Sequence, residues 1–299
     1  MTASPGRVIL AFIIVTLIWG STWLVIHDQL AIVAPSWSIC YRFLVGSAAM
    51  FAYSAAIGQP WRLGRGGLAF AGLIGFALFF VNFNFVYRAE AYVTSGVVAM
   101  VFALLIVPNS LFARIFLGTR IGAGFVVGSS ISLVGMAMLF WHELAQAIGG
   151  GERVVLGIGF TLIGVVGASI ANVMQASTRG RALPPAATLG WAMLIGAAIN
   201  AAFALATAGP PTFDPRPAYL GGILYLGILG SAVTFPLYMF VIRQIGPARA
   251  AYSSVLTPVI AMALSTVFEG YRWSALAAAG AVLALAGLVV AIRERNPAA

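Results

Sequence analysis

The chain has 299 residues, 62% hydrophobic and 8% charged, with a mean hydropathy of +1.02. Soluble domains carry about 25% charged residues, so the composition excludes a water-exposed globule and makes lipid the solvent. The net charge of +9 comes from sixteen arginines against seven acids, with no basic patch interleaved with aromatics, which excludes nucleic acid as a partner.

A hydrocarbon core needs about 20 apolar residues per helical span. Ten stretches meet that length, near 8–27, 36–57, 67–87, 92–112, 121–141, 154–177, 186–208, 219–241, 248–268 and 273–292. The first follows Arg7 and is too long for a signal h-region, so it reads as a retained helix. Trp19, Thr22 and Trp23 are three and four apart on it and share one face. The second stretch holds Arg42, the one charge within a span. Arg42 either neutralises a substrate carboxylate or snorkels outward and pairs with an outer acid, and the sequence favours the latter. Cys40, the single cysteine, has no partner for a disulfide and reads as packing.

On the third stretch Asn82 and Asn84 are two apart and face opposite ways; Asn84, Tyr87 and Arg88 form the side expected to be wet. The fourth offers Tyr92, Ser95, Gly96 and Ala99 on one face, where the small residues serve either a ligand or close helix packing. Gly124, Gly128 and Gly135 give the fifth stretch a small face that Gly280 and Gly287 repeat in the tenth. That face predicts that each helix scaffolds its own repeat or forms a monomer–monomer surface, away from substrate. Asn172 and Gln175 share a face of the sixth and read as cavity lining or as interhelical hydrogen bonds. Phe235 and Tyr238 share a face of the eighth; Tyr252 and Ser253 share a turn of the ninth. Pro236 and Pro258 interrupt these two helices. Indoles, phenols and amides together predict a substrate cavity suited to a neutral or zwitterionic, partly aromatic solute.

Residues 116–120, FLGTR, return as 268–272, FEGYR, and Ala123, Gly128, Leu133 and Gly135 match Ala275, Gly280, Leu285 and Gly287 at the same offset. The chain therefore reads as two five-helix repeats, 1–145 and 146–299. A five-span unit enters and leaves on opposite sides, so the second copy is inverted, an architecture of secondary transporters with substrate held between the halves near the midplane. The fold class is all-α integral membrane, ten transmembrane helices in two inverted repeats around a central cavity. With an inner amino terminus, eleven arginines fall in inner loops and four in outer ones, which places both termini in the cytoplasm.

No Walker motif, GxSxG elbow, HExxH or CxxC pair occurs, which leaves ATP hydrolysis and hydrolase or metal chemistry without a foothold. The expectation is no enzyme, no cofactor and no metal. His27 and His142 lie at span ends and read as solvated interfacial histidines. No carboxylate lies deep in a span, which favours transport driven by the solute's own gradient over proton coupling through Glu90.

Trp19-Gly20-Ser21-Thr22, the run from Ile245 to Ala250 with Thr257-Pro258-Val259, the Glu269-Gly270 pair and Arg42-Phe43-Leu44 resemble the EamA type of the drug/metabolite transporter superfamily. Within it the chain is most similar to the YddG-type exporters of aromatic and other amino acids. Leu117 and the charged Arg88 and Glu90 depart from the family pattern. The resemblance implies a ten-helix carrier of the bacterial inner membrane that exports small metabolites. The expected mechanism is alternating access, by a monomer or weak homodimer whose partners are its small-molecule solute and the bilayer. A multidrug efflux carrier or a passive metabolite channel of the same fold is the alternative.

Overall fold

The computed structural model describes residues 4–146, 151–238, 240, 241, 244 and 253–294. Its long helices are α1 (Pro5–Gln29), α2 (Pro35–Ala56), α3 (Arg65–Ala89), α4 (Ser95–Leu117), α5 (Ala123–Gln146), α6 (Glu152–Ala176), α7 (Pro185–Ala208), α8 (Pro217–Tyr238), α9 (Ser253–Phe268) and α10 (Ala275–Glu294), with a single helical turn at Thr178–Ala182 between α6 and α7. Among the described residues there is no strand, and nine helices, all but the shorter α9, are long and apolar enough to cross a membrane. Lipid offers no hydrogen bonds to an open backbone, so helices that satisfy their own polar groups are what such a sequence forms.

Local chemistry sets the helix ends. Proline occupies the first turn of α2, α7 and α8, where its missing N–H is no loss. The repeated FxGxR motif is a helix terminator. Gly118 and Gly270 adopt φ of +69° and +68°, the left-handed conformation glycine tolerates. Thr119 N–H then reaches Ala113 O at 3.3 Å, and Tyr271 N–H reaches Ser265 O at 3.2 Å, the same bond back to the sixth residue before it in both copies of the motif.

Two wide turns interrupt the α-helical ladders. Gly75–Asn82 within α3 and Tyr225–Val233 within α8 are π-helical, and neither was expected from sequence; Pro236 follows the second. Gly75 and Gly227 are separated by the same offset as the two copies of the FxGxR motif. A Cβ on Gly75 would lie 2.5 Å from Ala192 O of α7, and one on Gly227 would lie 2.9 Å from Arg42 O of α2. Glycine at both positions permits backbone-to-backbone approach.

The chain forms two compact units, each drawing on both sequence halves. The first comprises Met1–Leu24, Ala89–Leu162 and Leu237–Ala299; the second comprises Val25–Arg88 and Ile163–Pro236. In the first unit α5 and α10 pack antiparallel, with Gly128 against Gly287 and Ala291 and Gly135 against Gly280 and Ala284. Ser132 donates to Ala284 O at 2.8 Å across this seam. The small faces of α5 and α10 thus cover each other within one chain, which corrects the expectation: each helix packs against one from the other sequence half, neither scaffolding its own half nor leaving this face to a second monomer. Gly96 of α4 closes on Met262 and Ser265 of α9, where an added Cβ would lie 2.6 Å from the Met262 sulfur. The cause of that glycine is packing.

His142 corrects an expectation. It is buried rather than solvated, with Nε2 3.2 Å from Arg272 O and Nδ1 2.8 Å from Ser274 Oγ. Ser274 Oγ also accepts from Ala277 N–H at 3.1 Å, so the imidazole braces the start of α10. The neutral tautomer protonated at Nε2 satisfies both contacts. His27, by contrast, is exposed as read.

In the second unit α2 and α7 also run antiparallel. Trp37 Nε1 donates to Gly209 O at 3.3 Å near one end, and Ser47 Oγ donates to Gly190 O at 2.8 Å further along. Phe43, Phe79, Ile39, Ile74, Met50, Met193 and Leu226 form the core there, with the Phe43 ring tilted against Phe79 at 4.6 Å and edge-on to Phe83 at 4.8 Å. Cys40 is a free, buried member of the same cluster, as expected.

Candidate functional site: polar and aromatic clusters in each unit

In the first unit, residues far apart in sequence meet. Trp19 of α1 packs its indole 5.0 Å from the Tyr238 ring at the end of α8. The Tyr238 hydroxyl engages the side chain of Ser253, which opens the described part of α9. Trp23 packs 5.3 Å from Phe102 of α4. Gly20, between the two indoles, lets α1 approach α9, because a Cβ there would lie 2.6 Å from the Ile260 side chain. Thr22 is buried and returns its hydroxyl to Trp19 O at 2.8 Å. Tyr252 lies outside the described residues.

Tyr92 stands in the turn before α4 rather than on a helical face with Ser95. Its ring lies 5.7 Å from Phe160 and under the Arg153 guanidinium at 5.5 Å. The helix begins only at Ser95, whose N–H donates to Glu269 Oε2 at 2.9 Å; the same oxygen accepts from Ser265 at 2.6 Å. Glu269, in the bend just after α9, therefore caps α4, a carboxylate at the positive end of a helix dipole.

In the second unit, Asn84 is at the centre of a buried network. It accepts from Ser36 Oγ at 2.6 Å and from Arg88 Nη1 at 2.7 Å, and its Nδ2 donates to Asn200 Oδ1 at 2.5 Å and to Phe80 O at 3.0 Å. Asn200 in turn donates to Phe79 O at 2.9 Å and Gly196 O at 2.7 Å. Both amides thus serve carbonyls of the wide turn in α3. Asn172 is half-buried on α6, and Gln175 returns its amide to Ala171 O of its own helix at 3.3 Å. Phe235 packs partly buried against the core of this unit.

Arg42 is a second correction. The expectation of snorkelling or pairing with an outer acid fails, because the side chain is 4% exposed and, among the described residues, forms no ion pair. Its guanidinium lies over the Phe83 ring at 4.5 Å and the Phe43 ring at 5.1 Å. Among the described residues its hydrogen bond runs from Nη1 to the Tyr87 hydroxyl at 3.5 Å, and Nε has no acceptor. Tyr87, fully buried, donates to Gln29 Oε1 at 3.1 Å, and Gln29 Nε2 also lacks an acceptor.

Outside the spans, Asp214 accepts from Arg216 N–H at 3.0 Å and from Arg216 Nε at 2.7 Å, while Arg216 Nη1 reaches Asp28 at 3.5 Å. Burial works to raise the Asp214 carboxyl, but the Arg216 hydrogen bonds and charge prevail and hold it below the usual carboxylate range. The Arg216 guanidinium is shifted up by the same bonds. Tyr271 is pushed above the usual phenol range by burial and then by the charge and hydrogen bond of Glu143. No cluster of three histidine, cysteine, aspartate or glutamate side chains occurs among the described residues.

Gln29, Ser36 and Asn200 were not singled out from sequence. Asn200 had a visible signal, a lone amide in an otherwise apolar stretch, which in lipid demands a partner. Gln29 had none, because it sits at a span end beside His27 and Asp28.

Helices of spanning length that carry indoles, amides and an arginine inside them mark a multi-pass membrane protein. The EamA-like transporter family matches residues 6–141 and again residues 155–293, and the chain belongs to that family. It is 28% identical over 256 residues, 85% of this chain and 80% of the relative, to the uncharacterized inner membrane transporter YedA of Escherichia coli strain K12. It is 23% identical, over 97% of this chain and 94% of the relative, to a probable terminal-alkyne amino-acid exporter of Streptantibioticus cattleyicolor. A crystal structure at 21% identity shares the fold with a TM-score of 0.69, covering 96% of this chain and 97% of that one.

Proposed function

We propose that the protein is a secondary carrier that exports neutral amino acids, aromatic ones among them, and related small metabolites across the bacterial inner membrane by alternating access. In this reading α9 completes ten spans, the repeats are inverted, and both termini are cytoplasmic. The antiparallel packing of α5 on α10 and of α2 on α7 supports inversion, because each pair consists of matching helices of the two repeats. The arginine distribution supports the orientation. The name of the Streptantibioticus relative supports an amino-acid solute.

One observation carries the reading. Trp19, Tyr238 and Ser253, chosen from sequence as lining residues on three different spans, come together in one cluster. Indole and phenol faces with a hydroxyl suit a solute that is apolar at one end and polar at the other. The lining proposed is Trp19, Thr22, Trp23, Asn84, Tyr87, Tyr92, Ser95, Asn172, Gln175, Phe235, Tyr238, Tyr252 and Ser253.

The test is counterflow of labelled amino acids in vesicles reconstituted with full-length protein. Saturable uptake of neutral amino acids is expected, with Trp19→Ala and Gln175→Ala each lowering flux while insertion is unchanged. Non-saturating flux would replace the carrier with a channel, and normal flux in both variants would remove the lining.

A further inference from the structure

We propose that Arg42, with Gln29 and Tyr87, is a carboxylate-binding site that receives the acidic end of the transported solute; this deepens the amino-acid reading above and rests on it. A guanidinium taken out of water without a counter-charge is costly, and inside a membrane protein such a residue calls for a partner. Arg42 is buried and has no acid to pair with among the described residues. Phe83 and Phe43 cover it as rings rather than as anions.

The hydrogen-bond directions favour an acceptor. Arg42 Nη1 donates to the Tyr87 oxygen, and the Tyr87 hydroxyl donates to Gln29 Oε1. That chain uses the oxygens of both partners and leaves Gln29 Nε2 and Arg42 Nε as donors with nothing to receive them. Gly222 makes room for the amide, since a Cβ there would lie 3.2 Å from Gln29 Nε2. A positively charged cluster ending in spare N–H groups is matched by a carboxylate, whose two oxygens accept from a guanidinium fork. Phosphate is a poorer match, because one guanidinium leaves most of a dianion's charge uncompensated.

The experiment uses full-length protein in lipid nanodiscs, melted by tryptophan fluorescence with phenylacetate, phenylacetamide or chloride added at equal ionic strength. Phenylacetate is expected to raise the melting temperature, and the other two are not. In Arg42→Gln the apparent affinity for phenylacetate should fall about 10- to 100-fold, the loss expected for one charged hydrogen-bonding partner. Arg42→Lys should retain part of it. Gln29→Leu, which keeps the buried charge, supplies the same comparison if Arg42→Gln does not fold.

An equal shift from the amide or from chloride overturns the site, as does no shift in the wild type or unchanged affinity in the variants. Amino-acid counterflow separates the two ideas. If no amino acid is carried while the Arg42-dependent phenylacetate shift persists, the export reading alone fails. If Arg42→Gln carries amino acids with wild-type half-saturation, the site alone fails.

Discussion

Asn84 and Asn200 hydrogen-bond to each other at 2.5 Å while each also satisfies a carbonyl of the wide turn in α3. Two amides from different sequence halves therefore hold the one place where the α3 backbone leaves α-helical geometry. Asn200→Ala is expected to lower stability by about 1–3 kcal/mol, because the buried Phe79 carbonyl loses its side-chain donor and the Asn84 amide keeps only Phe80 O as acceptor. Thermal melting in detergent or nanodiscs measures this. A double substitution with Asn84→Ala should cost much less than the sum of the single changes.

The seam between α5 and α10 leaves no space for a side chain at its glycines. Gly135→Val and Gly287→Val should each destabilise by about 1–3 kcal/mol or abolish folding, as overpacking does. Gly159, where an added Cβ would meet nothing within 4 Å, is the control. Gly159→Ala should be neutral or stabilising by up to about 1 kcal/mol through helix propensity. Equal effects at Gly135 and Gly159 would contradict the close packing.

Glu269 caps α4 by accepting from Ser95 N–H. Glu269→Ala should cost about 1 kcal/mol, the usual loss of a helix cap, and Glu269→Gln, which keeps an acceptor oxygen, should cost less. Melting temperatures of the two variants decide whether the carboxylate acts as a cap; the same loss in both would point to its charge instead.

The Asp214–Arg216 brace has a defined pH signature. The Asp214 carboxyl is held below its ordinary value of 3.8 in the folded state. Its stabilising effect is therefore fully present above that ordinary value and is lost as pH falls through the lower folded value. The difference in melting temperature between wild type and Asp214→Asn should stay constant from neutral pH down to about 4, then shrink. A difference that grows on acidification would reverse the assignment.

Much of the architecture was legible because lipid imposes a simple rule: long apolar runs become helices, and the FxGxR repeat marks matching ends. The cause of that motif, a glycine in the left-handed conformation closing α4 and α9, follows directly from its residues. Trp19, Tyr238 and Ser253 were likewise readable as polar or amphipathic side chains in spans. Arg42 and His142 were misread for one reason. Burial and partners come from helices distant in sequence, and a span-end position says nothing about them. The wide turns escaped because their residues, GFALFFVN and YLGILGSAV, have the composition of any apolar helix. What maintains the first is the distant Asn200.

Those two turns carry a practical lesson for comparing relatives. Angular bookkeeping by the 3.6-residue rule holds on either side of residues 75–82 and 225–233 but not through them. A scan that assigns positions on α3 or α8 to a common stripe must restart its phase after each, or it will group side chains that point in different directions.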